Sequence, residues 1–162
     1  MKRDQLIFLG VLAVGALIAV VVVLVAGGGG DDGSDVDTST KPTVEVPDGP
    51  PPKTLQTDDI VEGDGPEAKP GDMLTMQYVG VNYADGKQFD ASWDNGQPFD
   101  FTLGKGMVIK GWDKGLVGIK AGGRRQLTIP AKLAYGAQGQ PPSIPPNATL
   151  VFIVDALKVS GK

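Results

Sequence analysis

Residues 53–162 of this sequence predict an α+β fold, an antiparallel β-sheet half-wrapped around one short α-helix. Three observations point there. Several segments alternate apolar and polar residues at period two, the period of a half-buried strand. Only one stretch carries apolar residues at helical spacing. The 24 glycines and 13 prolines show no Gly-X-Y period, which excludes collagen, and several mark turns between the segments.

Taken in order, Leu74-Thr75-Met76-Gln77-Tyr78 alternates and reads as a strand. Asp85-Gly86 follows as a hairpin-turn signal. Phe99-Asp100-Phe101-Thr102-Leu103 alternates again. Ile109, Trp112 and Leu116 fall at i, i+3 and i+7 and form the single helical signature. That helix is short and holds Gly111 and Gly115, so it needs tertiary packing to exist. Arg125-Gln126-Leu127-Thr128-Ile129 alternates, and Leu150 to Val159 is a β-branched run with the character of a central strand. A sheet that must bury one face against one short helix gives the α+β arrangement.

Ahead of this domain the composition changes twice. Residues 1–5 form a short terminus with Lys2 and Arg3. Leu6 to Ala26 then runs without a charge for about 21 residues, roughly 32 Å of helix at 1.5 Å per residue and enough for a hydrocarbon core of about 30 Å. The acidic residues Asp31, Asp32, Asp35 and Asp37 follow. The positive-inside rule therefore predicts a single-pass signal anchor in the cell membrane, with residues 1–5 cytoplasmic and the domain outside. The alternative is a secretory signal cleaved near Val25-Ala26-Gly27, although signal cores usually run only about 7–15 residues. Residues 27–52 open on four glycines, continue as an acidic Ser/Thr/Asp stretch and end in Gly49-Pro50-Pro51-Pro52. With little to bury, they predict a disordered spacer, flexible at the Gly end and stiff at the Pro end.

Composition narrows the chemistry. There is no Cys and no His, which removes most routes to zinc, iron–sulfur and haem ligation and the His-dependent nucleophile arrangements. No metal and no cofactor is expected. The net charge is -4, with no basic cluster of the size that nucleic-acid binding needs. No long helical dimerisation segment precedes the domain, and a monomer is expected.

Five segments, in order, carry a resemblance. They are Tyr78-Val79-Gly80 through Asp85-Gly86-Lys87-Gln88-Phe89-Asp90-Ala91-Ser92; Gln97 to Gly104; Val108-Ile109-Lys110-Gly111-Trp112-Asp113; Ala134-Tyr135-Gly136; and Ile144-Pro145-Pro146-Asn147 through Phe152. Each is weak alone. Together, at this spacing, they resemble the FKBP (FK506-binding) family of peptidyl-prolyl cis-trans isomerases over essentially all of Gly63 to Val159.

The resemblance implies an FKBP-like fold and a pocket for a prolyl ring. Trp112 would form its floor, and Tyr78, Phe89, Phe99, Val108, Ile109 and Phe152 its walls. Ile144 belongs to the same set. The Ile109 backbone N–H and the Tyr135 hydroxyl would hold substrate carbonyls, and Asp90 would order the rim. Proline-containing polypeptides are the implied partners, and tacrolimus and rapamycin the implied pocket ligands. From pattern alone, Phe99, Leu103, Phe152, Val154 and Trp112 also fit a plain core. Tyr135-Gly136 and Ile144-Pro145-Pro146 also fit turns, and Asp90 a solvated or capping carboxylate.

Such a pocket suits a chain without histidine or thiol. Turning an X-Pro bond requires loss of amide resonance against a barrier near 20 kcal/mol. An apolar site favours the less polar twisted amide over the planar ground state, with no nucleophile or proton transfer. The expected function is acceleration of X-Pro rotation during folding of extracytoplasmic proteins. The competing reading is a module, or a chaperone, that captures proline segments with little turnover. The short connection from Tyr135 to Ile144 leaves no room for an inserted chaperone domain. Two positions depart from the family pattern. Gln140 stands where small eukaryotic members often carry His, and Ser143 replaces an aliphatic residue beside Ile144, so substrate preference and drug affinity are the properties these changes bear on.

Overall fold

The computed structural model describes residues 37–161. The predicted span 6–26 lies outside them. Among the described residues no helix is long and apolar enough to cross a membrane.

Six strands form one sheet: β1 (Gln56–Val61), β2 (Met73–Asn82), β3 (Gln88–Ala91), β4 (Phe99–Thr102), β5 (Arg124–Ile129) and β6 (Leu150–Ser160). The order is β1-β5-β6-β2-β3, and β4 pairs with the lower part of β2, all antiparallel. β6 is central as its β-branched run predicts, flanked by β5 and β2. The predicted segments 74–78, 99–103, 125–129 and 150–159 all lie in or overlap strands. The Asp85-Gly86 turn joins β2 to β3, with Gly86 at φ 69° and its N–H donating to the Asn82 carbonyl at 2.8 Å.

The inner face carries Leu74 and Met76 of β2, Phe101 of β4, Leu127 and Ile129 of β5, and Leu150, Phe152 and Val154 of β6, all buried. The helix α1 (Lys110–Gly115) packs on this face. Gly111 makes its close approach to the sheet feasible: a Cβ there would sit 2.4 Å from Ile129 Cγ2. The glycine that weakens the isolated helix is the one that lets it dock. Arg125 of β5 then ties the helix down. Its Nη1 donates to the carbonyls of Gly115 and Val117 at 2.9 and 3.0 Å, while its other donors hold the Asp59 carboxylate of β1. The last turn of a short helix leaves such carbonyls unpaired, and a guanidinium satisfies them.

The outer face differs from a sheet backed only by a spacer with nothing to bury. Residues 40–50 have no regular secondary structure, yet they lie across it as a strap. Val44 and Val46 pack against Val81, Tyr83 and Val151. The Tyr83 hydroxyl donates to the Pro47 carbonyl at 2.9 Å, Lys41 Nζ pairs with Asp94 at 2.7 Å, and Arg124 Nη2 donates to the Thr40 carbonyl at 3.1 Å. The physical reason is local: in Val44-Glu45-Val46 the apolar residues alternate with an acid, and two half-buried valines are enough to dock an otherwise polar segment. Replacing Val46 by Asp is expected to lower stability by about 1–2 kcal/mol, below the ~1.5–3 kcal/mol of a fully buried Val, and to open residues 40–50 to limited proteolysis. Urea denaturation and a proteolysis time course check this.

Candidate functional site

The aromatic residues converge at one end of the inner face. Trp112 stands on the first turn of α1 and is 4% exposed. Tyr78 and Phe152 meet it edge-on, with centroids 5.1 and 5.3 Å away, and Phe99 does so at 6.2 Å. Phe89 meets Phe152 edge-on at 5.4 Å. These are the perpendicular arrangements that ring quadrupoles favour. Phe99 and Tyr135 are each 38% exposed, so they form a rim above a buried floor. Val108, Ile109, Tyr78 and Phe89 are partly buried against the same core cluster, and Ile144 is buried within it.

β2 and β6 bring Tyr78 and Phe152 together by register, because Gly80 pairs with Phe152 and Tyr78 with Val154. Gly80 leaves the space that the two phenylalanine rings occupy. A Cβ at this position would lie 2.5 Å from Phe89 Cζ and 2.7 Å from Phe152 Cε1. At the other side, Asp113 shapes the approach to the helix. Its carboxylate accepts the Gly104 N–H at 2.8 Å and the Gly106 N–H at 3.0 Å, which holds the turn leading to Val108 and Ile109. Ile109 is the N-cap residue, with extended ψ of 150°. Its carbonyl accepts the Trp112 N–H at 3.0 Å, and among the described residues its own N–H has no hydrogen-bond partner.

The polar groups are few. The Tyr78 hydroxyl donates to Asp90 Oδ2 at 2.5 Å. Burial first, and then the hydrogen bond to Asp90, push the Tyr78 phenol up. Tyr135 is raised as well, by burial and by the nearby Asp90 charge. Both phenols therefore keep their protons through the neutral range and can donate hydrogen bonds there. The buried Trp112 Nε1 has no partner among the described residues. The open hollow of about 670 Å³ between the strap and the β2–β3 turn, bounded by Val44, Pro47, Asp48 and Tyr83, is a separate feature on the outer side and holds none of these aromatics of the inner face.

The sequence matches the model of the FKBP-type peptidyl-prolyl cis-trans isomerases over residues 65–157, more than half of the chain. This chain belongs to the FKBP family. It is 51% identical over 120 residues to an FK506-binding protein of Streptomyces anulatus, covering 74% of this chain and 97% of that one. It is 47% identical over 117 residues to a probable FK506-binding protein of Corynebacterium glutamicum, covering 72% and 97%. Among solved structures it resembles AtFKBP13, with TM-score 0.61 and 39% identity over 64% of this chain and 91% of that one. By family the FKBP chain described here is a peptidyl-prolyl cis-trans isomerase.

Two features of this FKBP site were not singled out from the sequence. Phe101 stacks with Phe99 at 5.7 Å and lies 5.7 Å from Trp112, so it supports the floor from below. Its place in the alternating run Phe99 to Leu103 is the signal that could have found it. The Asp113 clamp has no comparable signal, since a carboxylate three residues beyond Lys110 reads as solvated.

Proposed function

We propose that this FKBP domain turns X-Pro bonds in proteins folding outside the cytoplasm, held to the cell membrane by residues 6–26. The observation that carries the chemistry is the set of rings around Trp112, with an unpaired Ile109 N–H beside it. The prolyl ring lies on Trp112 between Tyr78, Phe89, Phe99 and Phe152, with Val108, Ile109 and Ile144 completing the apolar wall. The Ile109 N–H and the Tyr135 hydroxyl hold substrate carbonyls. Asp90 accepts a hydrogen bond from the Tyr78 hydroxyl and so fixes that ring at the rim. The planar amide loses stabilisation in these surroundings and the twisted amide does not, so the barrier falls without proton transfer. The same pocket takes tacrolimus and rapamycin, and the domain works as a monomer. The charge asymmetry around residues 6–26 supports the membrane anchor and the outside location.

A proline-peptide isomerisation assay on the full-length chain, with and without tacrolimus, tests this reading. Acceleration that tacrolimus abolishes is expected; capture of the peptide without acceleration would favour the binding module. Tyr135→Phe removes one neutral hydrogen bond worth about 0.5–1.5 kcal/mol, so activity should fall by about tenfold or less. The kcat/KM profile should be flat from about pH 5.5 to 8.5, because no histidine titrates and both phenols are shifted upward, away from that window. A bell-shaped profile on folded protein would contradict the mechanism. Carbonate-washed membranes should retain the chain, and external protease should remove the domain. A soluble mature form beginning near Gly27 would show a cleaved signal instead.

A further inference from the structure

The geometry points to Asn82 as a positioning residue that pins the 134–149 loop over the prolyl pocket and thereby sets how tightly substrate is held. This rests on the pocket reading above and adds a determinant that lies outside the pocket wall.

Asn82 ends β2 on the same inner row as Leu74, Met76, Tyr78 and Gly80, and it is 5% exposed. An amide in such a place costs stability unless it is hydrogen-bonded. Its backbone is already used by the hairpin: the N–H donates to the Lys87 carbonyl at 2.9 Å and the carbonyl accepts from Gly86 at 2.8 Å. The side chain is therefore free for another task. Its Nδ2 donates to the Ser143 carbonyl at 2.9 Å, across 61 positions of sequence. Its Oδ1 is buried with no partner among the described residues.

The loop that receives this bond carries Tyr135 at one end and Ile144 near its tip. Most of its other hydrogen bonds stay within it or reach only the turn just before it. Gln140 and Ile144 exchange both backbone bonds, at 2.8 and 3.0 Å, and the Asn147 N–H closes on the Gly136 carbonyl at 2.9 Å. Its far end joins the sheet where the Tyr83 N–H donates to the Thr149 carbonyl. Among the described residues, Asn82 makes the single side-chain hydrogen bond between residues 134–149 and the rest of the domain. The tip is thus a pre-shaped hairpin held to the body by the buried Ile144 side chain and by one amide.

Loss of that amide leaves the floor and the sheet-borne walls in place. What changes is the fraction of molecules with the tip seated, and apparent affinity scales with that fraction. A buried neutral hydrogen bond of ordinary strength then predicts a rise in KM of about two- to tenfold, with kcat within about twofold.

The experiment uses the full-length chain with Asn82→Leu, of similar bulk and no donor, and Asn82→Asp, which faces an acceptor to the Ser143 carbonyl. Isomerase kinetics, melting temperature and amide hydrogen exchange are measured on each. The expected result is the KM rise, with the Ile144 and Gln140 amides exchanging at least about fivefold faster while β6 amides keep wild-type protection. Should both variants unfold, Asn82→Ser, too short to reach the carbonyl, gives the same readings. Folded variants with wild-type KM overturn the inference, even where the melting temperature drops, since a purely structural role predicts that pattern. If the wild-type chain shows no isomerase activity, the pocket reading fails separately. The exchange arm still decides Asn82, because unchanged Ile144 exchange in a folded variant sinks it.

Discussion

Arg124→Met is expected to destabilise the domain by about 3–5 kcal/mol, read as a shift of the urea midpoint at unchanged m-value. Arg124 and Asp155 are cross-strand partners on β5 and β6, 5% and 1% exposed, and the guanidinium spans both carboxylate oxygens, Nε to Oδ1 at 2.5 Å and Nη2 to Oδ2 at 3.1 Å. The strap helps to seal the pair, since Nη2 also reaches the Thr40 carbonyl. Removing the cation leaves a carboxylate in the dark with nothing to balance it. The double replacement Arg124→Met/Asp155→Leu should recover most of the loss, because an ion pair taken out of water gains little over well-packed apolar groups.

The same pair makes a pH statement with a definite sign. Burial raises Asp155 above the ordinary carboxylate value, outweighing the lowering by Arg124. The folded state then holds a proton that the unfolded chain releases, so this group's contribution to stability falls as pH rises through the window above about 3.8. Without Arg124 that window widens upward. Arg124→Met should therefore lose more stability relative to wild type at pH 7 than at pH 4.5. Equal losses at the two pH values would mean that Asp155 finds another partner.

Gly80→Ala is expected to reduce kcat/KM by roughly five- to hundredfold. The added methyl lies within 3 Å of both Phe89 and Phe152, and neither ring can retreat without disturbing its edge-on contact with the other. Overpacking of this kind costs about 1–3 kcal/mol, and at 1.36 kcal/mol per factor of ten the rate follows. Activity is compared at equal folded fraction, because part of the strain appears as lost stability. Gly80→Ala/Phe89→Leu relieves the overlap, so its melting temperature should recover further than its activity. Wild-type turnover in folded Gly80→Ala would remove Phe89 and Phe152 from the site.

Much of this was legible in the sequence, for identifiable reasons. β2, β4 and β5 turn apolar residues toward the inner face at every second position and so alternate. β6 is buried on both faces over Leu150–Ala156, so its apolar residues run together, and Trp112 sits at helical spacing between Ile109 and Leu116. β1 was not visible because Gln56-Thr57-Asp58-Asp59-Ile60-Val61 is an edge strand exposed almost throughout, with acids where alternation would show. β3 is only four residues and half exposed. The strap hid inside an acidic, Gly- and Pro-rich composition, where two valines carry the docking. Within the site, rings are conspicuous by type, whereas Asn82, Asp113 and Arg125 act through carbonyls and N–H groups whose positions exist only after folding.

The place of β6 has a consequence for how the molecule comes into being. Residues Leu150–Ser160 join two halves that otherwise share no strand, β1 with β5 on one side and β2 with β3 and β4 on the other. Its partner β2 begins at Met73, so the ladder that closes the sheet spans most of the domain's length. Pairing at such separation is slow and comes late. A nascent chain stopped anywhere before residue 150 holds only two incomplete sheets with unpaired edges. At about 5–20 residues per second, the domain waits on its synthesis for several seconds before its core can close. Throughout that interval β2 and β5 each lack the neighbour that β6 supplies.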